Sequence, residues 1–194
     1  MKNQIKKVYA IIPSAGSGTR FNAAIPKQYF NINEELIIEK TINHFLNIDE
    51  IIKLIIPLGE QDKIFSNLDI AKNEKIQIVS GGDTRAESVF NALKTIKENS
   101  LVIVHDAVRP FIQTEMIKNL IVNFDEEKDD ALVYGIPIYE ALKKIDPDTL
   151  SIKKSVDRNK YYLAQTPQIC LSNVLKESIN FCLNDKFYPS DESE

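Results

Sequence analysis

The sequence predicts an α/β protein on three observations. Short, fully apolar runs recur along the chain, amphipathic stretches with helical spacing separate them, and a glycine-rich turn follows directly on the first run. Val8 to Ile12 is the first run and stops at Pro13, as a buried strand would. Leu36 to Asn47 places apolar residues at 37, 38, 42, 45 and 46, the stripe of a helix with one buried face. Ile51 to Leu58 and Ile76 to Val79 read as the second and third buried strands. A helix then opens at Asp83-Thr-Arg-Ala-Glu87, with Ala86, Val89, Phe90, Leu93 and Ile96 on one face. Thr84 and Glu87 stand at the spacing of a capping box. Leu101 to Val104 is a fourth strand, and Thr114 is expected to cap a helix running to Phe124. Ala131 to Ile136 is a fifth strand, and Ser172 to Leu183 a last helix.

Strands alternating with helices imply a Rossmann-like, mostly parallel sheet with helices on both faces. Residues 137–160 depart from that rhythm. The turn signal Asp146-Pro-Asp148 lies between two extended runs that carry Lys143, Lys144, Lys153 and Lys154. This predicts a protruding β-hairpin arm. A two-stranded hairpin is marginal without support, so it lies on the body or packs on another subunit.

Composition narrows the partners. The chain has 194 residues, 43% hydrophobic and 27% charged, which is globular and enough for one domain with a sizeable core. A net charge of −4 speaks against a general nucleic-acid coat but leaves room for an anionic small molecule on a local basic loop. The apolar run after Met1-Lys-Asn-Gln-Ile-Lys-Lys7 is broken by Pro13, so neither a signal peptide nor a membrane span fits, and a cytoplasmic location is expected. Cys170 and Cys182 read as two buried thiols in a reducing compartment.

Six segments are candidates for chemistry. In Pro13-Ser-Ala-Gly-Ser-Gly-Thr-Arg20 the small residues Ser14, Ala15, Gly16, Ser17, Gly18 and Thr19 let backbone N–H groups approach a phosphate, and Arg20 adds a fixed charge. The P-loop pattern fails here for want of its Lys-Ser/Thr pair, and the dinucleotide fingerprint fails because Phe21 stands where its third Gly belongs. Lys27, in Pro26-Lys-Gln-Tyr29, could face the same anion or sit solvated on the surface. Gly81-Gly-Asp-Thr-Arg85 is a tight turn before a capped helix, and its exposed backbone could meet a base edge. Asp106, in His105-Asp-Ala-Val-Arg-Pro110, ends the fourth strand at the sheet edge where ligands bind. It could hold Mg²⁺, or close a turn through an ion pair with Arg109. Val156-Asp-Arg158 and Gln165-Thr-Pro-Gln168 complete the set.

Taken in this order, the segments resemble the 2-C-methyl-D-erythritol 4-phosphate cytidylyltransferase family, over residues 8 to 194. The resemblance implies transfer of CMP from CTP to a polyol phosphate, with release of pyrophosphate and with a divalent cation, Mg²⁺. It implies that Arg20 and Lys27 stabilise charge at the α-phosphate and that the first loop wraps the triphosphate. It also implies that Gly82, Asp83, Ser88, Ala107 and Thr166 bind the nucleotide, that Asp106 is associated with the metal, and that Arg158 holds the polyol phosphate. A homodimer joined through the arms is implied as well. A cytidylyltransferase for another alditol phosphate, such as ribitol 5-phosphate, would use the same loops, and a non-catalytic nucleotide-binding module is the reading from another class.

The chain departs from the family twice. Ala141 stands where the family has a Thr near the polyol phosphate, a loss of one hydroxyl contact. The chain stops at Ser190-Asp-Glu-Ser-Glu194, where family members continue with a helix and a strand bearing a further phosphate-binding Lys. The expectation is therefore a single nucleotidyltransferase domain over 1–194, C-terminally incomplete, from a longer protein or one fused to a cyclodiphosphate synthase.

Overall fold

A computed structural model describes residues 7–16, 25–97 and 99–194. Among them the strands are β1 (Val8–Ile11), β2 (Asn31–Ile32), β3 (Glu35–Leu36), β4 (Ile51–Leu58), β5 (Ile76–Ser80), β6 (Leu101–Val104), β7 (Ala131–Pro137), β8 (Lys143–Ile145), β9 (Ile152–Ser155) and β10 (Tyr162–Leu171). The helices are α1 (Ile37–Leu46), α2 (Arg85–Leu93), α3 (Thr114–Asn123) and α4 (Ser172–Asn184). The main sheet runs β5-β4-β1-β6-β10-β7. β1 is parallel to β4 and β6, and β4 to β5, whereas β10 is antiparallel to both its neighbours, β6 and β7.

Why the central strands read as unbroken apolar runs is visible in their two faces. Successive side chains of a strand point to opposite sides. Ala10, Leu54, Ile56, Ile103 and Ile169 pack on one side with Ile38, Ile42 and Phe45 of α1 and Ile117, Leu120 and Ile121 of α3. Their neighbours Ile11, Ile55, Val102, Val104 and Cys170 pack on the other side with Ala86, Val89 and Leu93 of α2 and Leu175 and Ile179 of α4. Both faces are thus covered by a helix pair, so no polar alternation is left in β1, β4 or β6.

α2 begins as the spacing predicts. The Thr84 side chain accepts the Glu87 N–H at 3.1 Å, and Glu87 Oε2 accepts the Thr84 N–H at 2.8 Å. α3 does not. Its N-cap is Gln113, and Thr114 is already helical. The Thr114 hydroxyl donates to the His44 carbonyl at 3.2 Å, tying α3 to α1 instead of capping its own helix.

β10 is a strand that periodicity alone does not reveal. Its apolar pattern is interrupted by Thr166-Pro167, which is a cis peptide, and its register with β7 shifts between Gln165 and Gln168. The irregularity admits a proline into an interior strand, where it would otherwise remove a ladder hydrogen bond. β10 also contributes the one reversed direction in an otherwise parallel sheet.

The arm forms as expected. β8 and β9 make their own two-stranded sheet, apart from the main one. Its turn is built on Asp146, whose Oδ1 accepts the Asp148 and Thr149 N–H groups while Oδ2 pairs with Lys153 at 2.7 Å. The Lys153 ammonium holds the Asp146 carboxyl below its ordinary range. The thiols differ from expectation in one respect: Cys170 is buried, and burial pushes it up, but Cys182 on α4 is only half-buried, and both are free. Among the described residues no helix is long and apolar enough to cross a membrane.

Candidate functional site

The turns that follow β1, β4, β5 and β6 lie at one edge of the sheet, the carboxyl end of the parallel strands. After β1 the chain continues through Ser14, which still bridges Leu58 at the end of β4. The Ser14 hydroxyl is buried and donates to the Ile12 carbonyl at 2.9 Å, and its N–H donates to the Pro57 carbonyl at 2.9 Å, so this residue anchors the start of the loop. Gly16 is exposed, and a side chain there would meet open space. Ser17, Gly18, Thr19 and Arg20 lie outside the described residues.

Lys27 opens a short 3₁₀ turn, Lys27–Tyr29, that is pinned on both sides. Gln28 Nε2 donates to the Ser14 carbonyl at 2.9 Å, and the Tyr29 hydroxyl donates to Asp62 Oδ2 at 2.5 Å. Burial pushes the Tyr29 pKa up. The half-buried Lys27 between these anchors has no ion pair or side-chain hydrogen bond with another described residue. A cation held beside the first loop and left without a counter-charge suits an anionic ligand better than a solvated surface position.

The Gly81-Gly82 turn is a close-packed joint. A Cβ at Gly81 would sit 2.4 Å from the Ala15 Cβ, and one at Gly82 would sit 2.4 Å from the Glu87 Cβ. The turn therefore touches both the first loop and α2, and only glycine permits it. Much of its polar backbone is in use. The Gly81 N–H donates to the Leu58 carbonyl at 2.8 Å, the Gly81 carbonyl accepts from Asn91 at 3.1 Å, and the Gly82 N–H donates to Ser88 Oγ at 3.0 Å. Ser88, 2% exposed, donates in turn to the Thr84 carbonyl at 2.9 Å. Ser88 thus shapes the turn from within. The Gly82 carbonyl has only a 3.4 Å contact to Ser88, and Asp83 beside it is exposed.

Asp106 stands between two arginines. Arg109 Nε reaches Oδ2 at 2.9 Å, and Arg85 Nε reaches Oδ1 at 3.3 Å. The turn ion pair with Arg109 is therefore present, and a second one accompanies it. Arg85 also grips Glu192 with both terminal nitrogens, at 2.6 and 3.0 Å. Burial raises the Glu192 pKa and would lower that of Arg85, but the facing carboxylates hold the guanidinium charged. Ala107 turns its methyl into the core, and its carbonyl accepts from Thr41 at 2.9 Å, which ties the turn after β6 to α1.

The Gln165-Thr-Pro-Gln168 segment of β10 braces this platform residue by residue. Gln165 Oε1 accepts from Arg109 at 2.6 Å, Thr166 Oγ1 accepts the Asp106 N–H at 3.4 Å, and Gln168 Oε1 accepts the Glu192 N–H at 2.9 Å. Arg158 is not part of the cluster. It lies at the base of the arm, exposed, and its guanidinium donates to the Tyr139 carbonyl. The sequence singles out the segments that hold Gln28, Arg85, Gln165 and Gln168 but gives these four residues no role of their own, and it misses Glu192 altogether. Arg85 lies inside a segment already singled out, but nothing in the sequence pairs it with a glutamate 107 positions away.

Glycine turns, a lysine without an ion pair among the described residues and a braced carboxylate meet at the carboxyl edge of a parallel sheet, where open α/β proteins bind ligands. A family model described as IspD, 2-C-methyl-D-erythritol 4-phosphate cytidylyltransferase, matches residues 8–194. The chain is 35% identical over 188 residues to the enzyme of that name from Haemophilus ducreyi, with 97% of this chain and 81% of the relative covered. The chain belongs to this cytidylyltransferase family of nucleotidyltransferases. Among solved structures it is similar to the 4-diphosphocytidyl-2C-methyl-D-erythritol synthase of Anaerococcus prevotii, at 28% identity and a TM-score of 0.82, with 97% of this chain and 80% of that one covered. The bifunctional IspDF of Campylobacter jejuni matches at 25% identity and a TM-score of 0.76, with 96% of this chain and 46% of that one covered.

Proposed function

We propose that this chain transfers the cytidylyl group of CTP to 2-C-methyl-D-erythritol 4-phosphate and releases pyrophosphate. The observation that carries the proposal is the convergence of the Ser14–Gly16 loop, Lys27, the Gly81–Asp83 turn and Asp106 at one sheet edge, in a chain of this family. On this reading the weakly engaged Gly82 carbonyl accepts from an amino group on the base edge, which cytosine has and uracil lacks. An oxygen of the acceptor's phosphate attacks the α-phosphorus, the bond to the bridging oxygen breaks on the opposite side, and pyrophosphate carries away the electron pair. The attacking oxygen is already anionic, so the step needs no general base. Repulsion between two anions is the main obstacle, and Lys27, with Arg20 of the same loop, offsets it.

Asp106 is compatible with Mg²⁺. Among the described residues no three His, Cys, Asp or Glu side chains converge on a metal, so the donor set is one carboxylate. That suits Mg²⁺ bound mainly by substrate phosphates and water. Asp106 would hold it by the Oδ2 edge, from which the more exposed Arg109 would swing away. The metal would supply charge neutralisation along the triphosphate.

The arm suggests a dimer. Tyr139, Leu150 and Ile152 are 65–73% exposed along it, apolar side chains left open by the described residues of its own body. We assign that cover to a second copy, which brings Arg158 to the partner's acceptor phosphate. Pyrophosphate release with CTP and methylerythritol phosphate tests the activity, with ribitol 5-phosphate and ATP as the competing acceptor and donor. Faster turnover with ribitol 5-phosphate would move the chain to another alditol, and equal use of ATP would remove the cytosine reading.

A further inference from the structure

Arg85 and Glu192 have no place in the mechanism above, yet among the described residues they form the most buried ion pair around the site. The Glu192 side chain is 2% exposed and that of Arg85 is 26% exposed. Two parallel N–H···O bonds fix the plane of a guanidinium against a carboxylate. Glu192 is itself fixed, since its backbone N–H is held by Gln168. The remaining Nε–H of Arg85 then points at Asp106 Oδ1. We infer that Arg85 is a positioning residue, clamped by Glu192, which sets the direction of the Asp106 carboxylate for nucleotidyl transfer.

Stability alone is a poor explanation of the pair. Arg85 is the first residue of α2, where the helix dipole disfavours a cation, and a buried ion pair is often no more stable than apolar residues of the same volume. Geometry explains it better. Asp106 has one arginine on each oxygen, but the two differ in freedom. Arg109 is 44% exposed and leans on Gln165, so it can yield Oδ2 to a ligand. Arg85 is held from behind by a buried carboxylate and cannot follow. One edge of Asp106 stays fixed while the other is exchanged.

The inference rests on the cytidylyl-transfer reading, and a double-mutant cycle separates the two. Arg85→Ala, Asp106→Asn and the double variant are compared for kcat and for KM of CTP, alongside melting temperature. Arg85→Ala should lower kcat about tenfold, as loss of a hydrogen bond to a charged group does, and change KM less than about threefold. In the Asp106→Asn background the same change should lower kcat less than about twofold. Arg85→Lys keeps the charge without the fork and should recover less than half of the loss. If Arg85→Ala does not fold, Glu192→Gln releases the clamp with Arg85 still present. Its kcat loss should likewise vanish beside Asp106→Asn. Equal losses in both backgrounds, or a lower melting temperature with unchanged kcat, would overturn the inference. A wild-type chain that releases no pyrophosphate, or a silent Asp106→Asn, would remove the reading beneath it and the inference as well.

Discussion

Lys27 and His105 show how differently two ionisable side chains can be placed at one sheet edge. Lys27 lies between two anchored neighbours with its ammonium uncommitted. Lys27→Ala is expected to lower kcat about 10²-fold with a smaller change in KM, because the charge it supplies counts most when charge builds at the α-phosphorus. Steady-state pyrophosphate release measures both. An unchanged kcat would return Lys27 to an ordinary surface lysine. His105 is fully buried against Phe45, with Nε2 3.2 Å from the Arg109 carbonyl and Nδ1 without a partner among the described residues. Burial lowers its pKa to about 4. Between pH 6.5 and 4 the unfolded chain takes up a proton that the fold refuses, so stability falls as the pH drops through that window. The loss is about 3 kcal/mol for this residue. Urea unfolding from pH 7 to pH 4 should show it, and His105→Gln should flatten the slope. A slope unchanged in His105→Gln would assign the acid sensitivity to other groups.

Turns and strands differ in what they reveal before folding. The Gly81-Gly82 turn is legible in the sequence as a turn, but only the fold shows that it is a joint between the first loop and α2. Gly81→Ala drives a methyl into Ala15 and should destabilise the protein by roughly 1–3 kcal/mol. It should also weaken CTP binding by displacing the loop proposed to hold the triphosphate. Thermal melting with and without CTP tests both effects; a variant that melts like wild type and keeps the same CTP-induced shift would show that the joint yields. The central strands were legible because they are buried on two faces, and α2 because Thr84 and Glu87 form a local motif. β10 was not, because Pro167 breaks its pattern at the place where the strand bulges to brace Asp106. Thr114 misled for a related reason. Its hydroxyl was free to serve another helix, and tertiary contact with His44 prevailed over the local cap. The site divides along the same line: its loops carry sequence signatures, whereas Gln165, Gln168 and Glu192 act only across the fold.

On the scale of the whole molecule, the arm and the body make one prediction together. Arg158 hydrogen-bonds within the arm and Lys27 lies beside the first loop, and the dimer proposed above would join the two across copies. Lys27→Ala and Arg158→Ala homodimers should each be nearly inactive. After co-refolding, about half the dimers are hybrid and half their sites join two native residues, so about a quarter of wild-type activity should return. Hybrid dimers as inactive as their parents would show that Arg158 does not act across the interface.

The place of β10 in the sheet also bears on how the chain is made. A ribosome delivers the sheet strands in the order β1, β4, β5, β6, β7 and β10, but β10 lies between β6 and β7. The four parallel strands can close on α1 and α2 while synthesis continues. β7 cannot join them. It leaves the tunnel with its ladder groups unpaired and waits through the whole arm for Tyr162–Leu171 to reach it. Nascent chains halted within the arm should therefore carry an open sheet margin at β6 and a solitary strand, and bind chaperones most tightly at that stage. Chains released after Leu171 should bind them weakly, since the last strand has by then filled the gap.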